Sequence, residues 1–366
     1  MEGLYNLLEN CPANKTISEA FVITNSKIKK YDNIECSISG GADSDILIDI
    51  LTKLDSDKKI KYIFVNPGLE YQATLNHIKE LEKKYVINIE TLRPKKPIPI
   101  CCKEYGQPFI SKNVSKMISR LQKYHFEWED DSFENLVKKY CIEVPKEEAF
   151  VNGEKKRKIT ELNGKYYKGC VAALKWWCNQ YGEGSKFNIA WNSQLKEFMI
   201  ENPPTFPISA LCCYKTKKDV IHNYIKKNKI SLNIYGVRKA EGGIRSSAYK
   251  SCFSEKEEVD EFRPLFWMKQ EDKAIYEAHY NISHSACYQE YGLKRTGCVG
   301  CPFSLNLKNE LNAAEKYEPK LYRAICSVFG DSYKYTEEYL RFKEKKKEKK
   351  EEFIFRKLFL ICFPIL

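Results

Sequence analysis

The chain has no run of about 20 apolar residues, so no bilayer-spanning helix and no membrane partner are expected. Its opening, MEGLYNLLENCPANKTISEA, has no basic segment followed by an apolar one, so no secretory leader is expected there. The final stretch, FIFRKLFLICFPIL, is apolar but too short and too charged to span a membrane. Histidine is scarce: His77, His125, His222, His279 and His284 show no metal-ligand spacing, and only His284, in NISHSACYQ, lies where it could approach a substrate. No internal repeat is visible. Acidic residues are outnumbered, 49 against 61 Lys and Arg, and the resulting net charge of +12 suits a polyanionic partner such as a nucleotide or nucleic acid without fixing a fold.

What is present points to a globular chain. With 366 residues, 43% of them hydrophobic, it can form one large domain or two modest ones around a real core. The 15 cysteines are an odd number, and a cytoplasmic chain uses so many for metal or redox chemistry rather than disulfides. Many of them are plain core residues, because free cysteine is among the most buried residue types.

Residues 1–30 read as a helical lead-in. Residues 34–39 (IECSIS) and 60–66 (IKYIFVN) read as buried strands with a helix over 43–54 between them, a βαβ unit that predicts a parallel sheet with covered faces. Residues 70–85 form an amphipathic helix and 87–94 a third strand. Residues 111–200 change to a helical pattern rich in Lys, Tyr and Trp. ENPPTFP ends that insert, and 232–238 (LNIYGVR) reads as a further strand entering a Gly-rich loop. The tail from Ala313 is helical and carries the charged run RFKEKKKEKKEE. The expected layout is a nucleotide-binding domain over 31–110 and 201–303, the insert over 111–200, and a helical C-terminal region over 304–366.

One turn carries chemistry. In CSISGGADSDILIDIL, residues 36–51, a strand meets Ser39, Gly40, Gly41, Ala42, Asp43 and Ser44, and then an apolar helix. No Lys-Ser/Thr follows the glycines, so this is not a Walker loop, and it lacks the dinucleotide fingerprint. The physics is related: glycines let backbone N–H groups approach an anion, and the helix that follows points its positive end at it. Ser39 and Ser44 can donate hydroxyl hydrogen bonds. Asp43 is out of place beside a phosphate unless it caps the helix or holds Mg²⁺. The bland alternative is a strand–helix turn with a serine cap.

SISGGADSDILIDIL resembles the PP-loop, the SGGxDS motif of the ATP pyrophosphatases. The resemblance implies an α/β, doubly wound, mostly parallel sheet of the adenine nucleotide α-hydrolase type. It implies that Ser39, Gly40, Gly41, Asp43 and Ser44 cradle the β,γ-pyrophosphate of ATP with Mg²⁺, that Ile63 to Asn66 flank the adenine, and that the products are AMP and pyrophosphate.

Cysteine spacing adds a second pattern. Cys212-Cys213 is a vicinal pair, and Cys298 and Cys301 form a CxxC in KRTGCVGCPF. Four thiolates at such positions can hold zinc or a [4Fe-4S] cluster. The arrangement resembles the CC…CxxC of the sulfonucleotide reductases and their PAPS reductase-like relatives, which implies the iron–sulfur cluster. YGVRKAEGGIRS, residues 235–246, is similar to that family's substrate loop, in which Arg238 and Arg245 would grasp an anionic group, a task that suits a guanidinium fork. Cys101-Cys102 reads as packing, and Cys252 and Cys287 are possible substitute ligands.

Two departures matter. No nucleophilic cysteine in an ECGLH-like motif is present, and Cys326 and Cys362 read as apolar positions. The loop keeps the full SGGxDS, which a reductase has no need of. The leading expectation is therefore a PAPS reductase-like ATP pyrophosphatase that adenylates an acceptor in sulfur transfer or nucleic-acid modification, with DNA or tRNA and a sulfur-donor protein as possible partners. The alternatives are a phosphoadenosine phosphosulfate or adenosine phosphosulfate reductase that releases sulfite, and a nucleic-acid-binding subunit whose Trp and Tyr side chains stack on bases.

Overall fold

The structure, a computed structural model, describes residues 2–143, 150–151, 154–155, 166–242 and 248–362. Backbone contacts divide the chain into two compact units. The first comprises Met1–Ile100, Cys213–Cys301 and Asn306–Ile325, and the second comprises Cys101–Cys212, Pro302–Leu305 and Cys326–Leu366.

In chain order the first unit begins with α1 (Glu2–Glu9), α2 (Lys15–Lys30), β1 (Ile34–Ile38), α3 (Ala42–Leu54), β2 (Ile60–Val65), α4 (Gln72–Tyr85) and β3 (Ile89–Leu92). Helix α5 (Ile98–Tyr105) leads into the second unit, which holds α6 (Lys112–Lys123), α7 (Phe133–Tyr140), the two-stranded β4 (Phe150–Val151) and β5 (Glu154–Lys155), α8 (Lys168–Trp177) and α9 (Leu195–Glu201). The short α10 (Leu211–Cys213) runs through a π turn at Tyr214–Lys218 into α11 (Asp219–Lys227). Then follow β6 (Leu232–Tyr235), β7 (Phe253–Ser254), β8 (Asp260–Phe262), α12 (Gln270–His279), α13 (Ala286–Gln289), α14 (Leu307–Tyr317) and α15 (Pro319–Cys362).

The six-stranded sheet has the order β3-β2-β1-β6-β8-β7. All its pairings are parallel except β7 with β8. The strands beside the centre, β1 (IECSI) and β2 (IKYIFV), are short, mostly buried and rich in Ile and Val, as strands covered on both faces are. Strand β1 is the centre: Ile34 lies opposite Ile60 on one side and Leu232 on the other. Alternation along the strands puts Cys36, Ile38, Tyr62, Phe64 and Ile234 into one apolar core with Phe21 of α2 and Ile46, Leu47 and Ile50 of α3. The chain steps from β1 out to β2 and β3, and later places β6 on the other side of β1. Strand order therefore reverses beside β1, and in open α/β sheets ligands bind outside the carboxyl ends of the strands at such a point.

The second unit is helical and aromatic. Phe109, Phe126, Trp128, Trp176, Trp177, Phe198, Tyr335 and Tyr339 share its core. Ser111 caps α6 and Ser132 caps α7 through their side-chain oxygens. Gly106 has φ +101°, and a Cβ there would sit 2.4 Å from the Pro207 carbonyl oxygen, so only glycine lets residue 107 pair with Ile208.

The expected fold class is therefore found: an α/β fold on a mostly parallel sheet, with a helical insert and a helical C-terminal region. Among the described residues no helix is long and apolar enough to cross a membrane.

Candidate functional site

The loop between β1 and α3 sits at the carboxyl edge of the central strand, beside the reversal of strand order. Gly40 has φ +67°, and a Cβ on it would lie 2.7 Å from Thr74 Cγ2 of α4, so both conformation and space demand glycine. The Ser44 hydroxyl accepts from Ser39 N at 3.0 Å and lies 3.1 Å from Ser39 Oγ, which folds the loop on itself. Ser44 N and Asp45 N both bond Gly41 O, at 2.7 and 3.2 Å, and this starts the helix.

Asp43, in the first turn of α3, is held between two cations. Arg238 Nε donates to it at 3.0 Å and Lys273 Nζ at 2.9 Å. Burial alone would raise this carboxyl, but Lys273 and Arg238 together hold it below the usual carboxylate range. Arg238 comes from the end of β6, where Gly236 passes the Asp43 carbonyl closely. Lys273 comes from α12. Asp43 thus ties three elements together, and it leaves one unit of positive charge in surplus among the three side chains. Arg238 is only 7% exposed, and among the described residues its Nη1 has no hydrogen-bond partner.

A second acidic node lies two residues further along α3. Asp45, fully buried, bonds His77 Nε2 at 2.8 Å and His284 Nδ1 at 2.7 Å, and His284 Nε2 bonds Glu277 at 2.9 Å. Burial would lower both imidazoles. The carboxylates outweigh it, raising His77 and bringing His284 up to about 9, so His284 is cationic at neutral pH.

The segment that leads to the CxxC comes back over the loop. The Tyr288 hydroxyl accepts from Ala42 N at 3.1 Å, and a Cβ on Gly41 would meet Tyr288 Oη and Thr296 Oγ1 at 3.1 Å each. Val299 N bonds Leu69 O at 2.9 Å, next to Glu70. Glu70 takes Lys217 Nζ at 2.8 Å and has Cys298 Sγ at 4.0 Å. Burial pushes the Cys298 thiol up, against Lys217; Cys213 and Cys301 are near enough to push the same way.

Sequence reasoning singled out residues that the structure distributes as follows. Ser39, Gly40, Gly41, Asp43, Ser44 and Arg238 come together at one sheet edge. Arg245 lies outside the described residues. Cys213, Cys298 and Cys301 belong to the first unit, while Cys212 falls in the second. Among the described residues, no three or more His, Cys, Asp or Glu side chains are grouped so as to hold a metal ion. The described residues therefore give no support of their own to the expected [4Fe-4S] cluster, to zinc or to Mg²⁺. Cys287 is fully buried against Thr74, and Cys101 and Cys102 are buried on α5. Asn66 accepts from Gly68 N and shapes the turn after β2. Trp176 and Trp177, read as possible base-stacking residues, are fully buried and cannot stack on a base.

Lys273, Tyr288, Thr296, Asp45 and His77 were not singled out by sequence. Only Tyr288 and Thr296 carried a signal, through their place just ahead of the CxxC.

Residues 33–139, under a third of the chain, match the profile of the phosphoadenosine phosphosulfate reductase domain. An uncharacterized protein of Methanocaldococcus jannaschii is 31% identical over 134 residues, which are 37% of this chain; the match covers 27% of that protein. Among solved structures, phosphoadenylyl-sulfate (PAPS) reductase from Candida auris in its phosphate complex is similar at 10% identity and a TM-score of 0.39, covering 81% of this chain and 95% of the other. The U34-tRNA thiolase NcsA from Methanococcus maripaludis with its [4Fe-4S] cluster gives 12% identity and a TM-score of 0.32, covering 89% and 80%. Structural likenesses this slight carry no weight beyond their mention. The loop motif, the sheet order and the domain match together support a PAPS reductase-like, PP-loop-type nucleotide-binding domain and fold.

Proposed function

We propose that the first unit binds an adenine nucleotide by its anionic end at residues 39–44 and acts on the anhydride bond there. Arg238 carries this reading. A guanidinium so deeply buried, with one nitrogen lacking an acceptor among the described residues, sits at a cost that an arriving anion would offset. Its fork matches phosphate or sulfate. Ser39, Gly40, Gly41, Asp43 and Ser44 form the cradle, with Asp43 serving to fix Arg238 and Lys273 rather than to touch the anion. Arg245 is proposed as a second guanidinium on sequence grounds. Donors fixed in place before the ligand arrives stabilise charge that develops on the leaving group.

The domain match speaks for a sulfonucleotide, phosphoadenosine phosphosulfate or its adenosine phosphosulfate relative, ahead of ATP. In that reaction a thiolate takes the sulfuryl group and the nucleotide leaves with the electron pair of the broken bond. A second thiol then attacks the S-sulfonated sulfur, forming a disulfide and releasing sulfite. The complete SGGxDS favours a second reading, in which an acceptor attacks the α-phosphate of ATP and pyrophosphate departs. DNA, tRNA and a sulfur-donor protein remain candidate acceptors or partners of that second reading. The iron–sulfur cluster is a reading of cysteine spacing alone; iron and acid-labile sulfide counts on anaerobically purified protein decide it.

The test is thermal stabilisation by each nucleotide, since a ligand that binds only the folded state raises the melting midpoint by mass action. Phosphoadenosine phosphosulfate should raise the midpoint of the wild type and fail to raise that of Ser44→Ala. A rise with Mg-ATP alone selects the second reading. No rise with either nucleotide sinks the proposal.

A further inference from the structure

Gly41 is covered by hydroxyl groups. A side chain there would meet Thr296 Oγ1 at 3.1 Å, Tyr288 Oη at 3.1 Å and Ser39 Oγ at 3.3 Å. Apolar packing does not gather three hydroxyl oxygens over one glycine. Tyr288 accepts from Ala42 N, the first amide of α3, and its phenol proton is still there to be given. Among the described residues neither that proton nor the Thr296 hydroxyl has an acceptor. Arg238 Nη1, buried and without a partner, flanks the next residue, Asp43. Three donors without acceptors thus border residues 41–43 at the start of a helix, where the backbone already favours negative charge.

We propose that Tyr288 and Thr296 are the second wall of the anion cradle, and that their hydroxyls donate to oxygens of a bound pyrophosphate-type or phosphosulfate-type group. This rests on the reading that residues 39–44 bind the anionic end of a nucleotide. It adds that half of the site comes from a segment nearly 250 residues further along the chain. Thr296 stands two residues before Cys298, and Val299 is pinned to Leu69. An anion held by Thr296 therefore also restrains the CxxC.

Titration calorimetry with inorganic pyrophosphate tests this on the full chain. Tyr288→Phe and Thr296→Val should each weaken binding about tenfold or more, as expected when one hydrogen bond to a charged group is lost. Thr296→Ser, which keeps the hydroxyl, should bind within about threefold of wild type. Ser44→Ala serves as the reference for the loop itself, and a thermal melt of each variant checks folding. If Ser44→Ala weakens binding while Tyr288→Phe and Thr296→Val bind as wild type or more tightly, the inference is overturned and the loop reading stands. Should Tyr288→Phe fail to fold, the Thr296 Val and Ser pair still decides. If wild type binds neither pyrophosphate nor nucleotide, the loop reading falls, and this inference with it.

Discussion

Glu35, Asp45, Asp49, Asp55, Glu70, Arg238, Arg263, Lys273 and Glu310 are all buried, and all belong to the first unit. Among the described residues the second unit buries Ser115, Asn188, Ser209 and Ser332, but no charged side chain. The apolar parts differ as well: Ile and Leu dominate the core of the first unit, and aromatic rings are more frequent in the core of the second. Burying charge is costly unless it is paired. A unit that keeps so many ionisable groups inside holds them for a purpose beyond packing, and such groups gather at functional sites. Some are structural: Arg263 is satisfied by Tyr235, Glu261 and Ser254, and Asp49 by Tyr276, Tyr85 and Lys53. Arg238 is different, because among the described residues one of its nitrogens is left without a partner. The second unit reads as a packing body, and the first as the place where an anion is met.

Several changes would sharpen or break this contrast. The largest is Trp177→Ala. Trp177 packs against Phe126, Trp128 and Trp176 and is fully buried, so truncation should cost about 3–5 kcal/mol in urea unfolding. A loss under about 1 kcal/mol would mean that the aromatic cluster is not what holds the second unit.

Next comes Glu35. Burial raises its carboxyl to about 8, the Ser37 hydroxyl only partly opposing this. The folded state then holds a proton that the unfolded chain releases near the ordinary value, so stability falls as pH climbs from about 4.5 to about 8. Glu35→Gln should remove that slope and gain roughly 2–4 kcal/mol at pH 8, with no gain at pH 4. An equal effect at both pH values would refute the buried acid.

His284 has a dependence of the same sign from the opposite cause, charge pairing with Asp45 and Glu277 rather than burial. Its pKa is raised to about 9, so its contribution is complete below the unfolded value of 6.5 and is lost as pH rises through 9. The stability of wild type should drop by roughly 2–3 kcal/mol across that window, and His284→Gln should flatten the curve. A slope that survives the substitution would move the effect to another group.

The smallest effect belongs to the second unit's surface. Lys139 faces Glu127 and Glu129 in the open, and Lys139→Gln should leave the melting midpoint unchanged within error. A clear drop would show that charge matters to that unit after all.

Much of the first unit was legible because its signals are local. The expected helix over 43–54 is α3, Ala42–Leu54, and the strand expected over 60–66 is β2, Ile60–Val65. The Gly-rich turn identifies itself by residue type. Strands β7 and β8 were missed; two or three residues carry no readable alternation. The partners of the loop were harder. Lys273 lies 230 positions from Asp43 and Tyr288 lies 246 from Ala42, and only the fold brings them together. The Trp176-Trp177 pair could be read from sequence as core packing or as base stacking, and the structure bears out core packing. Helix α8 turns both inward, since two neighbouring helix positions can share a broad buried face.

The most direct test of the account is equilibrium binding of phosphoadenosine phosphosulfate to wild type and to Arg238→Met, with a ligand-free melt of each. The account predicts that wild type binds, and that the variant, still folded, binds at least about tenfold more weakly for want of the charged hydrogen bond. Equal affinity in the two proteins would contradict it, because the buried, unpartnered guanidinium nitrogen would then not be waiting for an anion.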